Sequence, residues 1–439
     1  MVTPSQTHRR RVLAVARVLT VHVLAFVRAS FAPLVRSVRN ADARALTVRL
    51  AAVELRRTME DLGVAATKVG QILSTRPDVL PPAFVDELAK LQDAATPVPV
   101  AVVEGVIEDE LGRPSNEVFA TFEPVPLAAA SIGQAHAATL TDGHEVVVKV
   151  RRRGAAAQVE LDLGILERSV AAVSRWSKRA RRADLTGLVA DFATTLRAEL
   201  DYSLEADNAE RFASVFATRS DVHIPGVHRP ESTRRVITID RIRGMKLDDV
   251  DALDAAGIDR RALAARAAEV VLTMVFQDHF FHADPHPGNF FVEADGRLGI
   301  IDFGMVGTVD AATSGALFAL LAAVVGNDAD ALGAAVAELG LGGPSIDRTS
   351  LLRDLDALIT THLDLPLGEL AIGPLLDDVF GVFRHHRLHF PNRLALLVKT
   401  LAMCEGVAVR LDPTFRMTAV LVPYVQRMAT AQETREDPT

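Results

Sequence analysis

Two acidic side chains and one amide in the stretch FFHADPHPGNFFVEADGRLGIIDFG could together transfer a phosphoryl group. Asp284 and Asn289 lie five residues apart, and Asp302 follows 13 residues after Asn289. A carboxylate can accept or orient the proton of an attacking hydroxyl, while carboxylate and amide oxygens are ligands that Mg²⁺ prefers. Magnesium neutralises charge on the phosphates being transferred. The spacing therefore predicts a phosphotransfer site, with Asp284 as base or orienting group and Asn289 and Asp302 as metal ligands.

The order of these residues resembles the catalytic and D-F-G loops of protein kinases. His282, Ala283 and Asp284 correspond to H-R-D with the arginine missing. One alternative is a zinc cluster of His279, His282 and His286, but a single tract lacks the paired ligand spacing of a zinc site. A second alternative is a solvated polar loop. It is disfavoured because three residues and the D-F-G sequence all agree with the kinase pattern.

A lysine in the strand-like segment EVVVKV is the expected phosphate contact. Lys149 follows two predicted strands, at the place of the V-A-I-K lysine that contacts the α- and β-phosphates. It is one of six lysines in a chain with 48 basic residues, which favours a specific use of its ammonium over general charge. An exposed strand lysine is the alternative. A helical carboxylate should fix Lys149, and the segment RAELDYSLEADNAERF offers Glu199, Asp201 and Glu205.

The stretch PLAAASIGQAH is a candidate phosphate loop whose expected glycines are replaced by alanines. Each Cβ restricts positive φ and keeps the backbone from closing on phosphate. We therefore expect the loop to tune nucleotide choice, with an ordinary turn as the alternative. A second nucleotide contact is expected from the backbone of the hinge near Asp240 and Ile242. The expected loop contacts are Ala128, Ala129, Ala130, Ser131, Ile132 and Gly133.

Four motifs across roughly residues 60–310 resemble the ABC1/UbiB/AarF family of atypical kinases. They are KVGQ at 68–71, AAAS at 128–131, ELD at 199–201, and DPHPGN with DFG at 284–289 and 302–304. The resemblance implies that Lys149 pairs with Glu205 in the catalytic machinery. It also implies a regulatory, occluding cluster over the active site, in which Lys68 and Gln71 meet Glu199 and Asp201.

The resemblance implies a Mg²⁺-dependent ATPase or phosphotransferase that binds ATP or ADP and supports isoprenoid-quinone or other lipid metabolism at a membrane. Peptide kinase activity is disfavoured, because Ala283 replaces the arginine of H-R-D and no A-P-E follows Asp302. The segment ATSGALFALLAAVVG is instead predicted as a buried helix. The main alternative is a non-catalytic, nucleotide-gated scaffold for a biosynthetic complex. A small-molecule kinase of the aminoglycoside type shares the D-x₄-N spacing but leaves KVGQ unexplained.

Strands early and helices late predict an α+β protein with a sheet-rich lobe and a helical lobe. The resemblance implies that the two lobes form a protein-kinase-like fold with an N-terminal helical extension carrying KVGQ. We expect a basic amphipathic helical region at 1–57 and the extension at 58–116. The N-lobe with inserted helices then spans 117–243, and the helical C-lobe spans 244–429. A disordered tail at 430–439 completes the chain.

Charge is distributed unevenly along the chain. The net charge is −8, yet residues 1–53 carry nine arginines and one acid, Asp42. The acidic remainder argues against a nucleic-acid partner, while Arg10, Arg17 and Arg28 fall on one helix face and favour an anionic membrane surface or lipid. An equally open alternative is a helix packed on the protein itself. We expect a cytoplasmic protein, peripheral at the inner face of the membrane, whose single cysteine, Cys404, packs in the core.

Overall fold

The computed structural model describes residues 4–37, 41–74, 80–91, 95–177, 185–326 and most of 392–427, with scattered positions between 331 and 386. The chain divides into two compact units. Unit 1 comprises residues 1–207 and 226–241, and unit 2 comprises 208–225 and 242–439. The sequence predicts one boundary near residue 243, between the N-lobe and the C-lobe. The two units divide differently, because residues 208–225 group with unit 2. The predicted tail at 430–439 lies outside the described residues.

Unit 1 begins with four helices. Helices α1 and α2 pack on each other, and Gly63, at φ +93°, separates α2 from α3. The backbone amide of Gly63 closes the end of α2 by donating to the carbonyls of Met59 and Glu60, both at 3.2 Å. Helix α2 runs across the expected boundary at residue 57. The four helices are α1 Pro4–Ser37, α2 Ala41–Leu62, α3 Val64–Leu73 and α4 Pro82–Leu88.

The sheet of unit 1 is antiparallel and follows the order β1-β3-β4-β6, with β2 paired to β3. Strand β4 alternates exposed or half-buried residues with the buried Val146, Val148 and Val150, as expected for a strand with one face on a core. Helices α5 and α6 precede this sheet, and α5 contributes Val103 and Ile107 to the same core. The elements are α5 Val100–Leu111, α6 Ser115–Val118, β1 Phe119–Phe122, β2 Ala128–Ala129, β3 Gly133–Leu140, β4 Glu145–Arg151 and β6 Val236–Asp240.

Among the described residues between β4 and β6, the α-helices are α7 Ala155–Trp176, α8 Leu185–Glu199 and α9 Tyr202–Val215. The segment RAELDYSLEADNAERF is therefore divided between two helices. The break occurs because Asp201 caps α9, accepting a hydrogen bond from the Ser203 amide at 3.2 Å. The division between the two units also falls inside α9, after residue 207.

Unit 2 combines short strands with long helices. One sheet has the order β5-β10-β9-β7, and a separate pair is formed by β8 and β11. The strands are β5 Val222–His223, β7 Met245–Lys246, β8 Phe280–His282, β9 Phe290–Val292, β10 Leu298–Ile300 and β11 Val306–Thr308. The helices described from their first to their last residue are α10 Val250–Ala255, α11 Arg260–Phe276, α12 Ala311–Gly326 and α13 Asn392–Leu411.

The segment expected to be a buried helix is helix α12, but its described residues are buried on one side only. Ser314 and Ala316 are buried, whereas Gly315 and Ala319 are exposed. Within the part of the chain that the structure describes, no helix is both long enough and apolar enough to span a bilayer.

One backbone position in unit 2 is strained. His279, immediately before β8, has φ +53°, the left-handed region that favours glycine. Its Nδ1 atom is buried without a hydrogen-bond partner, as is Oδ2 of the neighbouring Asp278. Burial raises the pKa of the Asp278 carboxyl, and His279 partly opposes that shift. The turn before β8 therefore holds two buried polar atoms without a partner.

Helix α1 is tied to α2 by an imidazole between two carboxylates. His22 Nδ1 lies 3.0 Å from Glu54 and Nε2 lies 2.9 Å from Asp61. The hydrogen bond to Glu54 raises the pKa of His22, and Asp61 adds to it, against the opposing effect of burial. The imidazolium thus donates from both nitrogens.

We predict that His22→Ala lowers the melting temperature more at about pH 6 than at about pH 9. A folded-state pKa above the unfolded value of about 6.5 means that the stabilisation is complete below the unfolded pKa and is lost as pH rises through the folded one. The measurement is thermal unfolding of wild type and variant at both pH values.

His144→Ala is the matched control, because His144 pairs with Asp142 on the surface and such pairs contribute little. The prediction is contradicted if the difference in melting temperature between wild type and His22→Ala is constant with pH or is larger at alkaline pH.

Candidate active site

Lys149 forms a mostly buried ion pair with Glu205. Strand β4 holds Lys149 in register opposite Ala135 of β3 and Ile237 of β6, and Glu205 lies in the first turn of α9. The Lys149 ammonium donates to Glu205 Oε1. Since an unpaired charge at such a position is strongly destabilising, each residue holds the other in place. The pairing is the one that the resemblance implied for these two residues.

Lys68 and Glu199 form a second ion pair, 2.9 Å from Nζ to Oε2. Lys68 lies on α3, and Glu199 is the last residue of α8. Both side chains are mostly buried. Helix α3 of the N-terminal extension is thus held to α8 by a charged contact as well as by apolar packing.

Two expected members of the occluding cluster make other contacts. Gln71 donates its side-chain amide to the carbonyl of Leu91 at 3.2 Å. Asp201 accepts from Ser203, as the cap of α9, and from Arg234 Nε at 2.8 Å. Burial opposes ionisation of Asp201, yet these hydrogen bonds outweigh it and lower its pKa. Gln71 and Asp201 therefore also hold neighbouring helix ends, and their part in an occluding cluster stays a prediction.

The alanine-rich loop is a tight β-hairpin. Ala128 and Ala129 of β2 pair with Ala135 and Gln134 of β3, and the Ala130 amide donates to the carbonyl of Gly133 at 2.8 Å. All six residues from 128 to 133 have negative φ. The alanines consequently impose no backbone strain here.

The tip of this hairpin is anchored in an apolar cluster. Ile132 is buried with Ala65 of α3, Leu163 of α7 and Leu196 of α8. The Ile132 carbonyl also accepts from the Arg152 amide at 2.8 Å. The cluster includes the two helices that carry Lys68 and Glu199. The loop is therefore fixed at its tip by the N-terminal extension and the inserted helices.

Gly133 is required by close packing. A Cβ at this position would lie 2.2 Å from the Tyr202 hydroxyl oxygen and 2.8 Å from the Val150 carbonyl oxygen. Tyr202 is the first residue of α9, the helix that carries Glu205. The remaining glycine of the loop thus allows α9 to approach the sheet.

The expected hinge residues have structural contacts of their own. The Asp240 carboxylate accepts from His228 Nε2 at 2.8 Å and from the Gly226 amide at 2.9 Å. The Asp240 amide donates to the Gly226 carbonyl. In unit 2, Ile242 is buried and packs over Gly299. Adenine recognition by the backbone of Asp240 and Ile242 stays a prediction.

A buried imidazole connects the two acidic loops of unit 2. His282 Nδ1 accepts a hydrogen bond from the Asp284 amide at 3.1 Å, and Nε2 donates to the carbonyl of Asp302. These contacts fit the neutral tautomer with hydrogen on Nε2. Because both nitrogens are used within the protein, His282 is not a zinc ligand. His286 accepts from the Gly288 amide through Nδ1, which leaves the expected alternative of a zinc cluster without support.

Asn289 and Asp302 are oriented by their own loops. Asn289 Nδ2 donates to the carbonyl of Asp284 at 3.1 Å, so the side-chain oxygen is directed away from that bond. Asp302 Oδ1 accepts from the Gly304 amide at 3.0 Å, and the Ile301 amide donates to the Asn289 carbonyl. The oxygen donors suit a hard cation such as Mg²⁺.

Phe303 of the D-F-G sequence is buried against helix α9. Its ring centroid lies 5.3 Å from that of Phe212 and 6.2 Å from that of His282. Asn208 Nδ2 donates to the Phe303 carbonyl at 3.0 Å. Asn208 and Phe212 are four residues apart, which places them on one face of α9.

Sequence reasoning missed several positioning residues. The role of His282 was open to detection, because it occupies the first place of an H-x-D sequence. Asn208 follows Glu205 by three residues, so helical spacing alone would have drawn attention to it. The anchoring of Ile132 depends on helices distant in sequence and left no local signal.

Cys404 lies on α13 and is buried, as expected. Burial raises the pKa of its thiol to about 12, with a smaller contribution from Glu405. Because the thiolate is the nucleophilic form, Cys404 is a packing residue.

Comparison with known proteins identifies the family. Residues 90–336 match the ABC1 atypical kinase-like domain, and residues 355–416 match the UbiB helical domain. The chain belongs to the ABC1 atypical kinase-like family. The expected family and the kinase-like α+β fold with its helical N-terminal region are thereby confirmed.

Several relatives in this family cover most of the chain. A probable protein kinase UbiB of Marinobacter nauticus is 35% identical over 380 residues, which are 85% of this chain and 69% of that protein. The chloroplastic protein ACTIVITY OF BC1 COMPLEX KINASE 7 of Arabidopsis thaliana is 35% identical over 378 residues, 85% of this chain and 54% of that protein. The uncharacterized protein sll0005 of Synechocystis is 33% identical over 388 residues. That match covers 88% of this chain and 57% of the length of sll0005.

A solved structure supports the same family assignment. The Rv3197–erythromycin complex from Mycobacterium tuberculosis has a TM-score of 0.59 and 25% sequence identity to this chain. The similarity covers 84% of this chain and 94% of that one. The ABC1 family chain therefore shares its fold with an experimentally solved structure.

We predict that Ile132→Ala releases the tip of the alanine hairpin. Removing a buried isoleucine side chain to Cβ costs about 2–4 kcal/mol of unfolding free energy. It should also increase amide hydrogen exchange across residues 126–134. Urea unfolding and hydrogen exchange with mass spectrometry measure the two effects.

Leu127→Ala is the matched control, because Leu127 is an exposed aliphatic residue of the same loop and should change both quantities little. If residues 126–134 exchange their amide hydrogens at the same rate in both variants, Ile132 does not anchor the loop.

Proposed function

We propose that this chain binds ATP or ADP with Mg²⁺ and hydrolyses or transfers the terminal phosphoryl group, in support of isoprenoid-quinone or other lipid metabolism at a membrane. The observation that carries the proposal is a complete set of phosphotransfer residues, each held by specific contacts. In unit 1 Lys149 is paired with Glu205. In unit 2 His282 holds the loops of Asp284 and Asp302.

Each residue has a defined task in the proposed chemistry. Lys149, oriented by Glu205, contacts phosphate oxygens of the nucleotide. Asp284 accepts or orients the proton of the attacking hydroxyl or water. Oxygens of Asn289 and Asp302 hold Mg²⁺, which when bound neutralises charge on the phosphates.

The segments around Ala283 and after Asp302 disfavour peptide substrates. Ala283, in place of the arginine of H-R-D, is fully buried and donates its amide to the Met305 carbonyl. Strand β11 follows Asp302 almost at once, pairs with β8, and is followed by α12 at Ala311. The described segment after Asp302 is therefore short and hydrogen-bonded, whereas peptide kinases use a longer activation loop.

We assign the Lys68–Glu199 pair to control of access. Both residues lie on helices outside the sheet, and these helices contribute apolar residues to the cluster that anchors Ile132. A charged contact there restricts the position of the nucleotide loop through Ile132. This restriction supports gating of the nucleotide loop by the N-terminal extension.

A nucleotide-gated scaffold is the competing function, favoured by the anchored alanine hairpin. In that case nucleotide binding changes how the protein engages lipid or partner proteins, without turnover. The relatives named probable protein kinase UbiB are consistent with either function.

We predict that Asp284→Asn lowers phosphate release from ATP by about 100-fold or more, because it removes the group that accepts or orients the proton. Release is measured by a phosphate-detection assay with and without anionic vesicles, and nucleotide binding is measured in parallel.

Asp295→Asn serves as the control, because Asp295 lies in an exposed turn of unit 2, bonded to Arg297. Equal release by wild type and Asp284→Asn would exclude the enzymatic function and favour the scaffold.

We also propose that α1 attaches the protein to an anionic membrane surface. Its half-buried face, with Val15, Val18 and His22, is turned toward α2. On the opposite face the exposed fractions of Leu13 and Leu24 are 69% and 63%.

This apolar face has further exposed members and a basic border. By helical angle the exposed Arg10, Arg17 and Arg28 fall beside it. Apolar residues bordered by arginines suit an interface with anionic headgroups. The remaining exposed aliphatic residues of the face are Val12, Leu19, Val23 and Val27.

We predict that replacing Leu13 and Leu24 together by Glu weakens binding to anionic vesicles by about 100-fold or more, since each buried leucine contributes about 1.5–3 kcal/mol. Co-sedimentation with phosphatidylglycerol and with phosphatidylcholine vesicles measures the effect.

Trp176→Glu is the control, because Trp176 is 90% exposed on a different helix, at the end of α7. If the double variant binds as wild type does, α1 is not the attachment site.

A further inference from the structure

A cluster of two imidazoles and one carboxylate lies in unit 2, apart in sequence from the phosphotransfer residues. Asp354, His385 and His386 each bring one ligand atom into a group whose members all lie within 4.8 Å of one another. His386 Nε2 is 2.7 Å from Asp354 Oδ2. The rings of His385 and His386 are nearly perpendicular, with centroids 4.9 Å apart.

The donor set differs from that of the proposed magnesium site. Asn289 and Asp302 offer oxygens only, which suit a hard cation. Imidazole nitrogens with one carboxylate suit a borderline metal such as zinc. The function proposed above does not use Asp354, His385 or His386.

We propose that Asp354, His385 and His386 bind one Zn²⁺ ion. Zinc–nitrogen and zinc–oxygen bonds are about 2.0–2.2 Å, so two ligands of one tetrahedral ion lie roughly 3.3–3.6 Å apart. The ligand atoms of the three residues already lie within 4.8 Å of one another, close to that spacing. On binding, the contact between His386 Nε2 and Asp354 Oδ2 would be replaced by bonds from both atoms to the metal.

Burial and charge favour the same conclusion. The side chain of His386 is 7% exposed, whereas that of Asp354 is 38% exposed, and His385 is exposed as well. The site is therefore fixed on one side by a buried ligand and open on the other, where water completes the tetrahedron. One carboxylate charge against two on the metal leaves a net charge of about +1, which solvent on the open side can stabilise.

Zinc at this cluster would cross-link two separate parts of the chain. Asp354 directly precedes residues 355–416, the segment that matches the UbiB helical domain, and both histidines lie within it. A ligand that binds only the folded form stabilises it by mass action. Zinc should therefore raise the melting temperature, whether or not the protein turns over ATP.

The test is a calorimetric titration of Zn²⁺ into the full-length, metal-free chain near neutral pH, with millimolar Mg²⁺ present to saturate oxygen-ligand sites. We expect one equivalent to bind with micromolar or tighter affinity. His385→Ala should weaken this binding by about tenfold or more. Co²⁺ in place of zinc should give visible absorption bands of a low-coordinate site, which His385→Ala should abolish.

His385 is the first choice for substitution because it is exposed, and Asp354→Asn is the second variant. His144→Ala is the matched control, since His144 is an exposed histidine paired with an aspartate, Asp142, at 3.0 Å. Absence of stoichiometric zinc binding by wild type would overturn the proposal. Equal binding by wild type and both cluster variants, with circular dichroism showing that they are folded, would also overturn it.

Discussion

The Lys149–Glu205 ion pair is the contact on which the organisation of unit 1 depends. Withdrawing each charge from water costs several kcal/mol, and only close pairing offsets that cost. The strand must therefore hold Lys149 in one register, and α9 must begin where Glu205 can reach it. Asp201 sets the start of the helix, and the missing side chain of Gly133 gives Tyr202 the space to approach the sheet.

A second constraint operates in unit 2, where a buried imidazole has to satisfy both of its nitrogens. One tautomer of His282 does so, by accepting from one acidic loop and donating to the other. The aromatic packing of Phe303 on Phe212 and the hydrogen bond from Asn208 hold the same loop from the side of α9. Hydrogen-bond requirements of buried groups, more than the acidic residues themselves, set the geometry of this loop pair.

Much of this arrangement could be predicted because it is encoded by short motifs. The strand with Lys149 and the loops with Asp284 and Asp302 were predicted from local pattern, and the family resemblance supplied the partner Glu205. The contacts of Gln71 and Asp201 could not be predicted, since they depend on which helix end needs a partner. The anchoring of Ile132 could not be predicted from local sequence either, because helices far apart in the chain form the cluster around it.

The backbone-paired hairpin with a buried tip has a thermodynamic consequence for ligand binding. A glycine-rich loop that becomes ordered around phosphates loses conformational entropy, at about 1–2 kcal/mol for each residue that is fixed. Residues 128–133 are already held by strand pairing and by the burial of Ile132. If the loop binds nucleotide as proposed, association there should therefore carry a smaller entropic penalty than at a flexible glycine-rich loop.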